Sequence, residues 1–171
     1  MWGRINIRPR GLIMLKDKIN DDYKQAFKES RTSEVSVLKM LKAALLNKEK
    51  EKQYQIAKGE KSSLDGKLAE EETIDVISVE IKKMRDSLAL FEKGGRDDLA
   101  QSAKKEIEIL LRYLPEQLGE DEIKKMVSEA ISQTGAQSVK DMGKVMGVLM
   151  PKVKGKADSG LVGKLVKDAL Q

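Results

Sequence analysis

The chain has 171 residues, 36% of them charged and only 4% aromatic, with three prolines and a formal net charge of +5. That profile suits one domain, or two small ones, built from amphipathic helices with cores of Leu, Ile, Val, Met and Ala. There is no cysteine and no histidine, which removes disulfides, thiolate chemistry and the commonest general base and metal ligand; no apolar run approaches the roughly 18 residues of a membrane span.

In chain order, Met1 to Ile13 holds three arginines and no acid, and Pro9 and Gly11 break any helical period. The stretch is too short and too poor in apolar residues for a secretory signal, and it lacks the length and serine content of a transit peptide. It reads as a basic N-terminal extension without ordered structure, added upstream of an older start at Met14; the alternative is a basic arm that touches RNA. From Leu15 the stripe Leu15, Ile19, Tyr23, Phe27 steps by four and predicts a first helix. Arg31-Thr-Ser33 breaks it, with Ser33 able to cap a second helix through Val35, Leu38, Leu41, Ala44 and Leu45. The charged continuation, Asn47 to Lys58, is expected to fray or project into solvent, and Gly59 to Lys67 is a loop by composition.

A third helix carries Ile74, Ile77, Ile81, Met84, Leu88 and Phe91 three and four residues apart. This seam is short enough to predict intramolecular packing rather than a dimerising coiled coil. Glu70, Glu71 and Glu72 suit the positive end of its dipole, and Gly94-Gly95 ends it. A fourth helix starts at Asp97 or Asp98, runs through Leu99, Ala103, Ile107, Leu110 and Leu111, and closes at Tyr113-Leu-Pro115. Gly119 then occupies the cap of a fifth helix with Ile123, Met126, Val127, Ala130 and Ile131 on one face. Gly135 offers a helix stop, and Ser138 with Asp141 has capping-box spacing. Val139, Met142, Val145, Met146 and Leu149 follow, until Pro151 is expected to stop the helix. Asp158 can cap a last helix whose stripe is Leu161, Val162, Leu165, Val166 and Ala169. No segment alternates with period two, so no sheet is assigned.

Between the last two helices lies Pro151-Lys-Val-Lys-Gly-Lys-Ala157, a tight basic turn, and Val139 to Gln171 as a whole holds seven lysines against three aspartates. Lys144, Lys152, Lys154, Lys156, Lys164 and Lys167 are the candidate contacts to phosphates. Gly155 would let the turn's backbone approach another surface closely, and the amides before Leu161 would face outward as an anion site. The competing reading is that Gly155 and Asp158 merely make a turn and a cap, with lysines for solubility. Gly143 and Gly147, four apart, read as permitting close helix packing.

Enzymatic readings fare badly on inventory. Ser36-Val-Leu-Lys39 has a Ser-x-x-Lys spacing but sits in a plain helical pattern, and there is neither a P-loop nor a Gly-x-Gly-x-x-Gly. No catalytic residue, metal ligand or cofactor is expected.

Gly143-Lys-Val-Met146, followed by Lys154-Gly-Lys-Ala-Asp158 and a Leu-Val-rich final helix, resembles the GatB/YqeY tail signature. Leu38-Lys-Met-Leu-Lys-Ala-Ala44, Phe91-Glu-Lys-Gly-Gly-Arg-Asp-Asp-Leu99 and Tyr113-Leu-Pro-Glu-Gln-Leu118 resemble the YqeY pattern in particular, and the likeness runs from about Met14 to Leu170. In GatB, a subunit of the enzyme that amidates mischarged tRNA, the chemistry belongs to another domain and the tail helps engage the tRNA body. The resemblance therefore implies a tRNA-contacting role for the lysine turn and no catalysis; the label of glutamine-dependent carbon–nitrogen ligase would come by association alone.

The expected protein is all-α and cytoplasmic. It comprises the extension 1–13, an N-terminal helical domain of about four helices over 14–114, and a compact three-helix domain over 115–171. Its expected partner is tRNA or a tRNA–enzyme complex, reached by electrostatic contact rather than base readout or aromatic stacking. The alternatives are an adaptor whose N-terminal helices dock a protein partner, and an amidotransferase in its own right.

Overall fold

The computed structural model describes residues 14–59 and 66–171. The expected N-terminal extension lies outside them, as does most of the polar loop expected between Gly59 and Lys67. Among the described residues there are seven α-helices: α1 (Leu15–Lys28), α2 (Thr32–Ala57), α3 (Glu70–Lys93), α4 (Asp97–Leu111), α5 (Glu120–Thr134), α6 (Met142–Val153) and α7 (Ser159–Ala169). A short 3-10 turn at Val139–Asp141 leads into α6, and there is no strand among the described residues. The fold is all-α, as the absence of period-two alternation predicts. The chain falls into two compact units, Met1–Thr73 and Ile74–Gln171, so the division lies inside α3 and Pro115 lies within the second unit.

In the first unit α1 and α2 pack together, burying Ile19 and Ala26 against Val37, Leu38, Leu41 and Leu45. The reversal between them turns on Ser30, at φ 55. There the Arg31 N–H donates to the Ala26 carbonyl at 2.9 Å and the Ser30 N–H to Phe27 at 3.2 Å, the hydrogen-bond pair of a Schellman ending with serine in the place glycine usually takes. The break expected at Arg31–Ser33 therefore occurs, but Arg31 and not Ser33 is the N-cap of α2. The tight reversal returns the chain to helix sooner than the position of the serine suggests.

The second half of α2 does not fray. Glu49 is buried, paired with the Lys16 ammonium at 2.5 Å and accepting the Leu68 N–H at 3.4 Å. One turn on, Lys52 donates to the Lys67 carbonyl and to Glu72, each at 2.6 Å. The charges that make this stretch look solvated are what anchor it. Glu70 accepts the Leu15 N–H at 3.2 Å, supplying the cap that Met14 cannot give α1, and Glu72 reaches back to the Ala69 N–H at 2.8 Å. The glutamate triplet thus caps backbone as well as opposing a dipole.

In the second unit, Ile77 and Ile81 of the α3 seam are buried, while Met84, Leu88 and Phe91 are half-buried. The predicted stripe of α4 is buried at Ala103, Ile107 and Leu110, joined by Ile109, which lies off that stripe. The three last helices share one core, built on Ile123, Val127, Val145, Leu149, Val162 and Val166 among others. Gly135, at φ 65, ends α5 as expected, and Glu122 accepts the N–H of the capping Gly119 at 2.9 Å.

Three local expectations are overturned. Pro151 does not stop α6, which continues through it to Val153; a proline's φ is helical, and near the end of a helix the loss reduces to one N–H that would have met the Gly147 carbonyl. The extra turn buries Val153. Ser138 makes no side-chain cap, and Asp141 accepts the Gln137 N–H at 3.3 Å. Gly143 and Gly147 are exposed, and a Cβ at either would meet nothing within 4 Å, so neither serves close packing.

Replacing Glu49 by Ala strands a half-buried ammonium and a backbone donor. The expected loss is about 1–2 kcal/mol of stability, read as a lower urea midpoint followed by circular dichroism, with Lys16→Ala reproducing part of it.

Candidate functional site

The lysine turn after α6 is fixed by its glycine. Gly155 has φ +71 and is buried, and a Cβ built there would stand 2.5 Å from Ile74 Cγ2 and 3.4 Å from Pro115 Cδ. A side chain is excluded both by backbone handedness and by space. The close approach expected of this glycine is real, but the surface it approaches is the chain's own. Gln117 Nε2 then donates to the Gly155 carbonyl at 2.7 Å and to the Pro115 carbonyl at 2.9 Å. The Leu118 N–H donates to the Lys156 carbonyl at 2.7 Å. Two ion pairs complete the attachment: Lys154 to Asp75 at 2.8 Å and Arg85 to Asp158 at 2.9 Å. Asp75 and Arg85 both project from α3, and between the pairs lies a cavity of about 250 Å³ floored by Leu111, Leu114 and Met150.

Asp158 caps α7 as predicted, its Oδ1 accepting the Leu161 N–H at 2.9 Å. Burial pushes its carboxyl up, but the Leu161 and Gly160 amides and the Arg85 guanidinium together outweigh that and hold it below the ordinary aspartate value. The α7 amides expected to face an outside anion are therefore already served by the chain's own carboxylate.

The six candidate lysines are not equivalent. Lys144 is paired with Asp141 at 2.8 Å; that hydrogen bond raises the lysine and lowers the aspartate relative to their ordinary values. Lys154 is held by Asp75. Lys152, Lys156, Lys164 and Lys167 are exposed and make no ion pair among the described residues. The structure brings Lys154 and Lys156 to either side of Gly155, while Lys144 stands at the opposite end of α6. Asp75, Arg85 and Gln117 escape sequence reasoning because nothing local marks them; only the handedness required of Gly155 hints that something packs against the turn. Among the described residues no group of three or more acidic side chains is placed to hold a metal ion.

The stretch that contains all these contacts is also the stretch a family model recognises. The model described as Yqey-like protein matches residues 16–170. The chain belongs to the Yqey-like protein family. Comparison with curated proteins finds no significant match.

Two outcomes test this anatomy of the Yqey-like turn. Gly155→Ala is expected to lose about 2–4 kcal/mol through positive φ and overpacking together; Gly135→Ala, with φ +65 and open space around it, is expected to lose only about 1 kcal/mol. Ile74→Ala should recover part of the Gly155→Ala loss and none of the other, as chemical denaturation of the double variants will read. Because the folded carboxyl of Asp158 is depressed, its contribution is fully present above the unfolded aspartate value and disappears as pH falls through the lower folded value. Asp158→Asn keeps a competent cap and removes the charge, so its stability difference from the parent should shrink as unfolding is measured from pH 6 down to pH 3.

Proposed function

We propose that this Yqey-like protein is a non-catalytic, cytoplasmic tRNA-associated protein that contacts tRNA, or a tRNA–enzyme complex, through its C-terminal lysines. The observation that carries the reading is the exposure of Lys152, Lys156, Lys164 and Lys167 with no ion pair among the described residues, although Lys164 lies within the field of Glu120; Lys152 and Lys156 flank a turn whose backbone is held by Gly155, Gln117 and two ion pairs. An ammonium with no acid beside it has only counterions to release when a phosphate arrives, and such contacts give salt-dependent affinity without base readout. The resemblance of Lys154-Gly-Lys-Ala-Asp158 to the GatB tail is what favours tRNA among polyanions in this reading. Among the described residues no helix is long and apolar enough to cross a membrane.

The adaptor reading would be favoured by a contiguous apolar patch on α2 or α3. The large exposed apolar side chains on these helices are Met40, Leu46 and Tyr54, and Val79 and Leu90, separated by charged residues such as Lys50 and Lys83. Single exposed apolar residues of that kind need no partner. The amidotransferase reading has no residue-level support here, and glutaminase or ATPase activity of the pure protein is what would revive it.

The test is binding of the purified protein to bulk tRNA across a salt series. Lys152→Ala with Lys156→Ala is expected to flatten the dependence of log affinity on log salt by about two. Lys144→Ala and Lys154→Ala are expected to change it less, since their charges are already met. Feeble binding that is equal in the parent and the double variant would overturn the reading.

A further inference from the structure

Beside the Arg85–Asp158 ion pair, on the side of α5 and the start of α7, lies a second and larger cleft of about 590 Å³. Its charged lining comes from two places in the sequence: Lys82, Arg85 and Asp86 from α3, and Lys156 and Asp158 from the turn. Arg85 and Asp158 neutralise each other at 2.9 Å, and the Asp158 carboxylate is further spent on α7 amides. What remains is one ammonium from each segment, Lys82 and Lys156, against the single carboxylate of Asp86. Both lysines are exposed and make no ion pair among the described residues. The adjacent Lys83, with the same charge on the same helix, lies outside the cleft and is paired with Glu80 at 2.7 Å.

We infer that this cleft seats a phosphate group between Lys82 and Lys156, which extends the anion-binding surface onto α3. The inference rests on the tRNA reading above and deepens it by adding a residue that the C-terminal signature does not contain. Two point-like ammoniums brought to one cleft from α3 and from the turn suit a tetrahedral group whose charge is spread over several oxygens. The cleft does not offer the planar fork of a free guanidinium, because Arg85 is already engaged. The shared chemistry is phosphate; its source is either the backbone of an RNA or a free phosphate ion.

The experiment compares bulk tRNA binding by the full chain, Lys82→Ala, Lys83→Ala, Lys156→Ala and the Lys82/Lys156 double variant, at several salt concentrations. Lys82→Ala is expected to weaken binding by roughly five- to tenfold near 0.1 M salt. Lys83→Ala, with the same change in net charge, is expected to alter affinity less than about twofold because its charge is already paired. Non-additive losses in the double variant mark two lysines on one phosphate, and Asp86→Asn is expected to tighten binding, a gain that loss of folding cannot mimic. Equal effects of Lys82→Ala and Lys83→Ala would overturn the inference and leave the tRNA reading standing. A parent protein that does not bind tRNA at all overturns both. A parallel titration with inorganic phosphate, followed by amide chemical shifts, separates the sources: movement at Lys82 and Lys156 assigns the cleft to free phosphate as well, and movement with tRNA alone assigns it to the RNA backbone.

Discussion

A left-handed residue buried against a β-branched side chain leaves a chain almost no freedom. At Gly155 the φ of +71 and the proximity of Ile74 and Pro115 act together: either alone would favour glycine, and the two together demand it. Gln117 and Leu118 donate to the carbonyls of Gly155 and of the next residue, Lys156, and Lys154 and Asp158, one before Gly155 and three after it, each find a partner on α3. The lysines left over inherit their positions from this arrangement. A basic sequence becomes a basic surface with a shape only because the backbone beneath it cannot swing.

Charge in this protein divides into two populations with different consequences. Glu49, Lys52, Arg85 and Asp158 are partly or largely withdrawn from solvent and hydrogen-bonded; removing one member of such a pair leaves the other stranded, which matters more than the modest net worth of the pair itself. Exposed i,i+3 and i,i+4 pairs such as Lys24–Asp21 and Lys124–Glu120 are screened by solvent and contribute little to stability. Composition counts both populations alike. Only the fold tells which lysines remain to meet a partner.

Much of the helical framework was legible in the sequence because it rests on local rules. The stripes of α4 and α5, those of α1 and α7 apart from Phe27 and Ala169, which are exposed while the neighbouring Ala26 and Leu170 are buried, the glycine ending of α5 and the Asp158 cap all follow from periodicity and from where backbone donors fall. Misreadings arose where a distant residue intervened. Asn47 to Lys58 looks solvated because Lys16, Lys67 and Glu72, which hold its charges, are far away in the chain. Pro151 looks like a stop because the burial of Val153 is a tertiary gain. The site was legible as a group of lysines and a special glycine, and illegible as a clasp, because Asp75, Arg85 and Gln117 carry no mark of their own until α3 and the turn are seen together.

The bare outer face of α6 has a bearing on how the C-terminal core assembles. Gly143, Gly147 and Pro151 recur every four residues along it, and each glycine weakens a helix by about 1 kcal/mol relative to alanine. A 12-residue segment so composed lies below the length at which helices persist alone in water. It becomes helical only as Val145, Leu149 and Val153 find α5 and α7, so its backbone order is borrowed from its neighbours. The helical order of α6 is then a property of the three-helix core rather than of its own sequence. Native-state hydrogen exchange would see α6 open no more slowly than the contacts that hold it, which makes the helix bearing Lys144 and Lys152 a sensor of the integrity of the whole bundle.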